Sequence, residues 1–135
     1  MTAEKTKTIR QREFFPGVKP VQVYDALLNA RKHATFTGAK ATCDARVGGK
    51  FTSWDAYITG VNLELEPGRR IVQEWKTTEW PPASPPSRLE WTFAEKGGGT
   101  EVTMVHSQVP ASQAESYRKG WIDYYWVPLK QYLVR

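Results

Sequence analysis

The C-terminal end of the chain carries the clearest hydrophobic period. Apolar and aromatic side chains recur there at helical spacing over about five turns, which predicts one long amphipathic helix. Its stripe consists of Ala114, Tyr117, Trp121, Tyr124, Tyr125, Leu129, Tyr132 and Leu133. Ser112 and Glu115 have the spacing of a capping box, so the helix is expected to begin there. Pro128 cannot donate to the carbonyl of Tyr124, which predicts a kink inside the helix.

The middle of the chain has an apolar period of two, interrupted by turn residues at short intervals, which predicts antiparallel strands. The predicted strands span residues 42–47, 50–57, 58–66, 70–78, 88–94 and 100–109. In strand 58–66, the side chains of Val61, Leu63 and Leu65 are expected to face one way and Asn62 the other. The prolines between Trp80 and Pro86 exclude a central strand and predict a stiff, extended loop.

The last two predicted strands form a hairpin around Gly97, Gly98 and Gly99. Their inward positions are Leu89, Trp91 and Phe93 on the first strand and Val102, Met104 and His106 on the second. The alternation predicts that these side chains share the inner face of the sheet.

The N-terminal part predicts an edge strand followed by two short helices. Residues 4–15 are charged and poor in apolar side chains, as suits an exposed edge strand. Pro20 opens a short helix, residues 20–29, and residues 30–37 form a second helix closed by Gly38. We therefore expect an α+β fold in which a strongly curved antiparallel sheet of six to seven strands wraps around the C-terminal helix, in a single domain, residues 1–135.

Composition narrows the function classes. A chain of 135 residues has room for one core, and six Trp, six Tyr and five Phe must pack in it.

The sequence contains neither an apolar run of about 20 residues nor a signal peptide, so we expect no membrane span and a cytoplasmic location. The net charge is +5, but the basic residues are scattered, which predicts a solvated surface and no nucleic-acid partner.

Several short motifs follow the order and spacing of one family. They are Gly48-Gly49-Lys50-Phe51, Asp55, Thr59-Gly60, Glu66-Pro67, Ile71-Val72, Trp75, Trp80-Pro81, Leu89-Glu90-Trp91-Thr92-Phe93, Thr100-Glu101-Val102, Gly120-Trp121, Tyr124-Tyr125 and Lys130-Gln131. Over residues 7–133 the sequence resembles the C-terminal domain of the activator of the ninety-kilodalton heat-shock chaperone's ATPase. The full activator has two domains, and the resemblance concerns the second.

This resemblance implies the helix-grip, or START-like, fold of the SRPBCC superfamily, in which a cavity between sheet and long helix often holds an apolar ligand. By position, that cavity would be lined by Trp54, Trp75, Trp91, Phe93, Met104, His106, Trp121, Tyr124 and Tyr125. It also implies a heat-shock chaperone as a possible partner.

Candidate chemistry is sparse. His33 sits in a basic cluster and is expected to be solvated, whereas His106 lies on the predicted inner face. Two scattered histidines and the single Cys43 offer no metal-ligand spacing, so we expect no metal and no cofactor. No serine lies in a nucleophile elbow, and therefore no catalytic residue is predicted.

Three functions fit these observations. The leading hypothesis is a non-enzymatic domain that binds a hydrophobic small molecule in the cavity, because Trp and Tyr are expected on both facing surfaces. The first alternative is a co-chaperone or protein-interaction module, with Trp80 on its stiff loop as the partner-binding anchor. The second alternative is a cyclase-like enzyme in which His106 is the general base.

Overall fold

One antiparallel sheet of seven strands organises the fold, in the order β1-β7-β6-β5-β4-β3-β2. The computed structural model describes residues 4–135, so the first three residues of the predicted domain lie outside the described part. The elements are β1 (Thr6–Pro16), α1 (Pro20–Leu28), α2 (Ala30–Thr37), β2 (Thr42–Cys43), β3 (Lys50–Ser53), β4 (Ile58–Glu66), β5 (Arg70–Thr77), β6 (Ser87–Lys96), β7 (Gly99–Pro110), α3 (Ala114–Trp121), a π turn (Ile122–Trp126) and α4 (Val127–Leu133). The predicted α+β class is confirmed, with a curved sheet, two short helices after the first strand and a C-terminal helix. No helix in the described part is long and apolar enough to cross a membrane.

The inner face of the sheet forms the core. Trp91 of β6 is paired with Ile71 of β5 and Met104 of β7, and all three side chains are buried. Leu89 is paired with His106 in the same way. The predicted inward faces of β6 and β7 are therefore confirmed. Gly97 and Gly98 form the two-residue turn between these strands, and their φ angles of +50° and +79° are ones that glycine adopts without strain.

The C-terminal helix runs through residues 114–133 and changes its period in the middle. Between α3 and α4, the N–H of Val127 donates to the carbonyl of Ile122, one residue further back than in an α-helix. Pro128 cannot continue an i→i−4 ladder, and the π turn lies directly before it. The structure therefore has a π turn directly before the position of the predicted kink, and the kink itself stays a prediction.

The predicted capping box of Ser112 and Glu115 is wrong. The backbone N–H and the hydroxyl of Ser112 both donate to the carboxylate of Glu4, at 2.9 and 2.8 Å. Glu115 instead lies 3.4 Å from Arg118. α3 begins at Ala114, and its N-cap Gln113 makes no side-chain cap bond. The carboxylate that accepts from Ser112 belongs to Glu4, which is 108 residues away in the sequence. A local sequence motif cannot reveal such a partner.

Two predicted strands are too long. β2 ends at Cys43, because residues 44–49 form a tight loop in which Arg46 N–H donates to the carbonyl of Asp44 and Gly49 N–H to the carbonyl of Arg46. β3 ends at Ser53, because the backbone turns left-handed immediately afterwards.

The predicted alternation in β4 is also wrong. A bulge interrupts the pairing with β5 between Asn62 and Glu64, so that Leu63 is exposed whereas Leu65 packs against the core, and Asn62 is fully buried. The Asn62 amide accepts from Gln73 at 2.9 Å and donates to the carbonyl of Asp44 at 3.0 Å. Burial of this polar side chain is tolerated because its hydrogen bonds are satisfied inside the protein.

Candidate functional site

Aromatic rings fill the interior between the sheet and the C-terminal helix. Trp91 packs edge-on against Trp121 and Trp126, with ring centroids 5.6 and 5.5 Å apart. The cavity that remains, next to His33 and Tyr125, has a volume of about 30 Å³. That is room for one or two water molecules, whereas small-molecule sites usually measure about 300–1,000 Å³. This cavity, formed by residues of the described part of the chain, is therefore too small for a ligand of ordinary size.

A larger concavity of about 460 Å³ lies at the surface, between the β3–β4 turn and the C-terminal helix. We call it the aromatic groove. Its lining residues are Trp54, Tyr57, Ile58, Trp75, Ser116, Tyr117, Gly120, Trp121, Tyr124 and Tyr125. Seven of these ten residues are aromatic. The rings of Trp54, Tyr57 and Tyr124 are partly or largely exposed, whereas those of Trp75, Tyr117, Trp121 and Tyr125 are buried.

Edge-to-face and tilted ring contacts fix the rings of the groove. Trp75 contacts Tyr117 at 5.2 Å and Trp121 at 5.6 Å between ring centroids. Trp54 contacts Tyr124 at 5.5 Å, and that tyrosine is 57% exposed. Rings held by such contacts need little further ordering when a partner binds.

A strained backbone turn positions Trp54. Trp54, Asp55 and Ala56 have φ angles of +54°, +57° and +69°, a left-handed conformation that costs non-glycine residues about 1–2 kcal/mol each. Two hydrogen bonds hold the turn: Asp55 N–H donates to the carbonyl of Lys40 at 3.0 Å, and Lys40 N–H donates to Asp55 Oδ1 at 3.1 Å. The turn thereby holds the indole of Trp54 as one wall of the groove.

Polar groups border the groove at the end of β5. The Tyr57 hydroxyl donates to Glu79 Oε2 at 2.7 Å, and the hydroxyl oxygens of Thr77 and Tyr117 lie 2.8 Å apart. Gln113 accepts from Tyr117 and donates to the carbonyl of Glu79. Burial, followed by the bond to Glu79, raises the pKa of Tyr57. Burial also raises the pKa of Tyr117, so both phenols remain protonated.

His106 is fully buried in a chain of hydrogen bonds and lines neither the cavity nor the groove. Trp121 Nε1 donates to its Nδ1 at 3.1 Å, so the proton of the neutral ring is on Nε2, which lies 2.8 Å from Ser87 Oγ. The Ser87 hydroxyl in turn donates to the carbonyl of Trp75 at 2.6 Å. Burial lowers the pKa of His106 to about 3. Both ring nitrogens are engaged, and the imidazole has no free nitrogen for a substrate proton.

His33 is not solvated as predicted. Its Nδ1 lies 3.0 Å from the carbonyl of Leu27, which can only accept, and its Nε2 lies 3.0 Å from Tyr125 Oη. Burial lowers the pKa of His33, although the bond to Leu27 opposes this effect, and burial raises the pKa of Tyr125 to about 12. The pair joins α2 to the π turn behind the groove.

The structure divides the predicted site residues into three groups. Trp54, Trp75, Trp121, Tyr124 and Tyr125 meet in the aromatic groove. Trp91 borders the small cavity, while Phe93, Met104 and His106 are buried and border neither space. Trp80 is half-buried, because its ring stacks on Tyr117 at 6.1 Å and its Nε1 donates to the carbonyl of Pro85 at 2.9 Å.

Sequence reasoning missed Tyr57, Tyr117 and Gly120 as groove residues. The helical stripe predicts Tyr117 as a core residue, and nothing in the sequence indicates that its hydroxyl bonds to Thr77 and Gln113 at the border of the groove. Tyr57 was assigned to a strand that ends four residues earlier. Tyr57 and Tyr117 come together because of the left-handed turn at residues 54–56. The sequence gives no sign of this turn, because none of its three residues is a glycine.

Comparisons with known proteins give one consistent match. The family model described as "Activator of Hsp90 ATPase homolog 1-like protein" matches residues 18–134. An activator of 90 kDa heat shock protein ATPase homolog from Dictyostelium discoideum is 34% identical over 117 residues. Activator of 90 kDa heat shock protein ATPase homolog 1 from Homo sapiens is 34% identical over 112 residues.

The extent of these matches differs between the proteins. They cover 86% and 83% of this chain but 30% and 33% of the two relatives, so the chain spans about a third of their length. Among solved structures, that of an HSP90 activator from Plasmodium falciparum has a TM-score of 0.82 and 23% identity, and the match covers 93% of this chain and 94% of that one. At this identity the likeness concerns the fold alone.

Proposed function

This chain belongs to the Activator of Hsp90 ATPase homolog 1-like family, and we propose from that membership that it is a co-chaperone-type domain that binds a 90-kDa heat-shock chaperone. The observation that carries the proposal is the match over residues 18–134. The small volume of the cavity beside His33 and Tyr125, about 30 Å³ within residues 4–135, supports a function at the surface of the domain. The chain spans about a third of its relatives' length, so the proposal is limited to binding of the chaperone. It does not include stimulation of the chaperone's ATPase.

Calorimetric titration of the full chain with the purified 90-kDa chaperone of the same organism tests this proposal. Saturable binding is expected. The control is a basic protein of similar size, net charge and unrelated fold, because a charge of +5 alone attracts acidic proteins. If the chain binds no more tightly than this control at low ionic strength, where charge steering is strongest, the proposal is wrong.

A second candidate function is the binding of a hydrophobic small molecule, and the aromatic groove favours it. Its volume of about 460 Å³ falls within the range of small-molecule sites, and its walls are mainly apolar. Titration with an apolar fluorescent dye tests this function. Saturable binding that is lost in Tyr124→Ala supports it, and the absence of saturable binding excludes it.

A further inference from the structure

The proposed function does not say which surface of the domain contacts the chaperone. From the geometry we infer that the aromatic groove is the docking site for this protein partner. Its occupant is a segment of the partner that inserts one large apolar side chain and carries Lys or Arg next to it. The inference rests on the proposed function for the partner's identity, but the chemistry of the segment follows from the groove.

The shape of the groove suits a side chain that is attached to a protein backbone. A small-molecule site encloses about 70–90% of its ligand's surface, whereas this groove is open along one side. An anchor can therefore enter from the surface while its own backbone stays outside. The interior cavity of about 30 Å³ offers no comparable space. Large side chains seated in such aromatic pockets are the contacts that dominate protein interfaces.

The wall of the groove that Trp54 forms depends on a strained backbone conformation. Three consecutive left-handed residues, Trp54, Asp55 and Ala56, are stabilised by the bonds between Asp55 and Lys40. Strained backbone persists where its surroundings enforce it, and it concentrates at binding sites. Here the strain places Trp54 against Tyr124 and Tyr125, at ring-centroid distances of 5.5 and 6.5 Å. The fixed, partly exposed rings form a pre-organised wall.

The charges beside the groove favour a basic segment. Asp55 follows Trp54, Asp123 precedes Tyr124, and Glu79 accepts the hydroxyl of Tyr57. None of these three carboxylates forms an ion pair within residues 4–135. Lys119, next to Gly120, and Lys40, whose backbone bonds to Asp55, are the neighbouring cations that form no ion pair within residues 4–135. Arg118 is paired with Glu115 at 3.4 Å, and Lys76 lies with Glu74 on the opposite face of β5 from Trp75. Carboxylates thus outnumber ammonium groups here, although the chain as a whole carries +5.

Tyr124→Ala tests the groove, and Ile122→Ala is its matched control. Both side chains lie on the π turn and are 57% and 46% exposed, so neither truncation should unfold the protein, but only Tyr124 lines the groove. Tyr124→Ala is expected to weaken binding of the 90-kDa chaperone by about tenfold or more, whereas Ile122→Ala binds like the original protein. Equal affinity of both variants overturns the docking site and leaves the proposed function intact.

Asp123→Asn tests the sign of the charge, with Glu95→Gln as control on the distant β6–β7 hairpin. Beside a basic segment, Asp123→Asn weakens binding several-fold and reduces its salt dependence, while Glu95→Gln changes neither. Tighter binding by Asp123→Asn means that the segment is acidic and overturns its assigned chemistry.

Two short peptides separate failure of the inference from failure of the proposed function. Acetyl-Lys-Trp-Lys-amide and acetyl-Glu-Trp-Glu-amide are titrated into the isotope-labelled full chain without any chaperone. The inference expects the basic peptide to shift the amide signals of Trp54 and Tyr124 saturably, even if the chaperone itself does not bind. It is overturned if neither peptide binds, if the acidic peptide binds better, or if only an apolar dye occupies the groove.

Discussion

Gln11 of β1 bonds Trp126 across the contact between the sheet edge and the π turn. Trp126 Nε1 donates to Gln11 Oε1 at 2.7 Å, and Gln11 Nε2 donates to the carbonyl of Arg118 at 3.1 Å. One amide side chain thus joins the end of α3 to the end of the π turn. The N–H of Ile122 donates to the carbonyl of Lys119, so Gln11 provides a donor for the carbonyl of Arg118.

Gln11→Leu should therefore destabilise the fold. The substitution leaves the carbonyl of Arg118 and the indole N–H of Trp126 without their partner. Both hydrogen bonds are partly buried, so each loss costs at most the roughly 1–3 kcal/mol of a fully buried group. Urea unfolding measures the change in the free energy of unfolding. Arg10→Leu, at the exposed neighbouring position, is the control. Equal stability of the two variants would contradict the bridging role.

The two histidines predict a loss of stability in acid. Burial lowers the pKa of His106 from 6.5 to about 3, and it also lowers the pKa of His33. Below pH 6.5 the unfolded chain therefore binds more protons at these two histidines than the folded protein does. The contribution of His106 is complete above pH 6.5 and falls as the pH drops toward 3, by up to about 1.4 kcal/mol per pH unit. His33 adds a loss of stability in the same direction. Urea midpoints across this range that stay constant would contradict the buried, neutral state.

The hydrogen bonds also predict opposite tautomers for the two rings. The His106 proton lies on Nε2, because Nδ1 accepts from Trp121, and the His33 proton lies on Nδ1, because that atom faces the carbonyl of Leu27. Long-range nitrogen–proton correlation spectra near neutral pH distinguish the two forms. A rapidly exchanging mixture of tautomers at either ring would show that its hydrogen bonds are not formed in solution.

Strain in the β3–β4 turn predicts a stabilising substitution. Ala56 has a φ of +69°, which glycine adopts without steric cost. Ala56→Gly should raise the free energy of unfolding by about 0.5–1 kcal/mol, since relief of about 1–2 kcal/mol exceeds the entropic cost of glycine. Ala94→Gly, within β6, is the control and should lower stability by about 0.5–1 kcal/mol. Equal losses in both variants would show that the turn is unstrained.

The sequence predicted the elements whose signal is periodic. The helix stripe marked Tyr117, Trp121 and Tyr125, and alternation marked Leu89, Trp91 and Phe93, because burial on one face imposes a regular spacing. Features that depend on distant partners were missed. Glu4 accepts a hydrogen bond from Ser112, Tyr125 is hydrogen-bonded to His33, and Gln73 donates to the buried Asn62.

The candidate site was predicted only in part for the same reason. Its aromatic residues were recognised, but they were assigned to an interior cavity between sheet and helix. The side chains of Trp91, Trp121 and Trp126 fill that space, and the open concavity forms beside it. How fully a core is packed depends on volumes summed over many elements, which no single motif encodes.

The indole N–H groups report most directly on whether the chaperone docks in the groove. A nitrogen–proton spectrum of the labelled chain is titrated with the purified 90-kDa chaperone. Trp54 and Trp75 line the groove, whereas Trp126 is buried behind it and donates to Gln11. We predict that the signals of Trp54 and Trp75 shift or broaden at substoichiometric chaperone while that of Trp126 is affected last. Unchanged Trp54 and Trp75 signals, with the chaperone bound, would contradict the account.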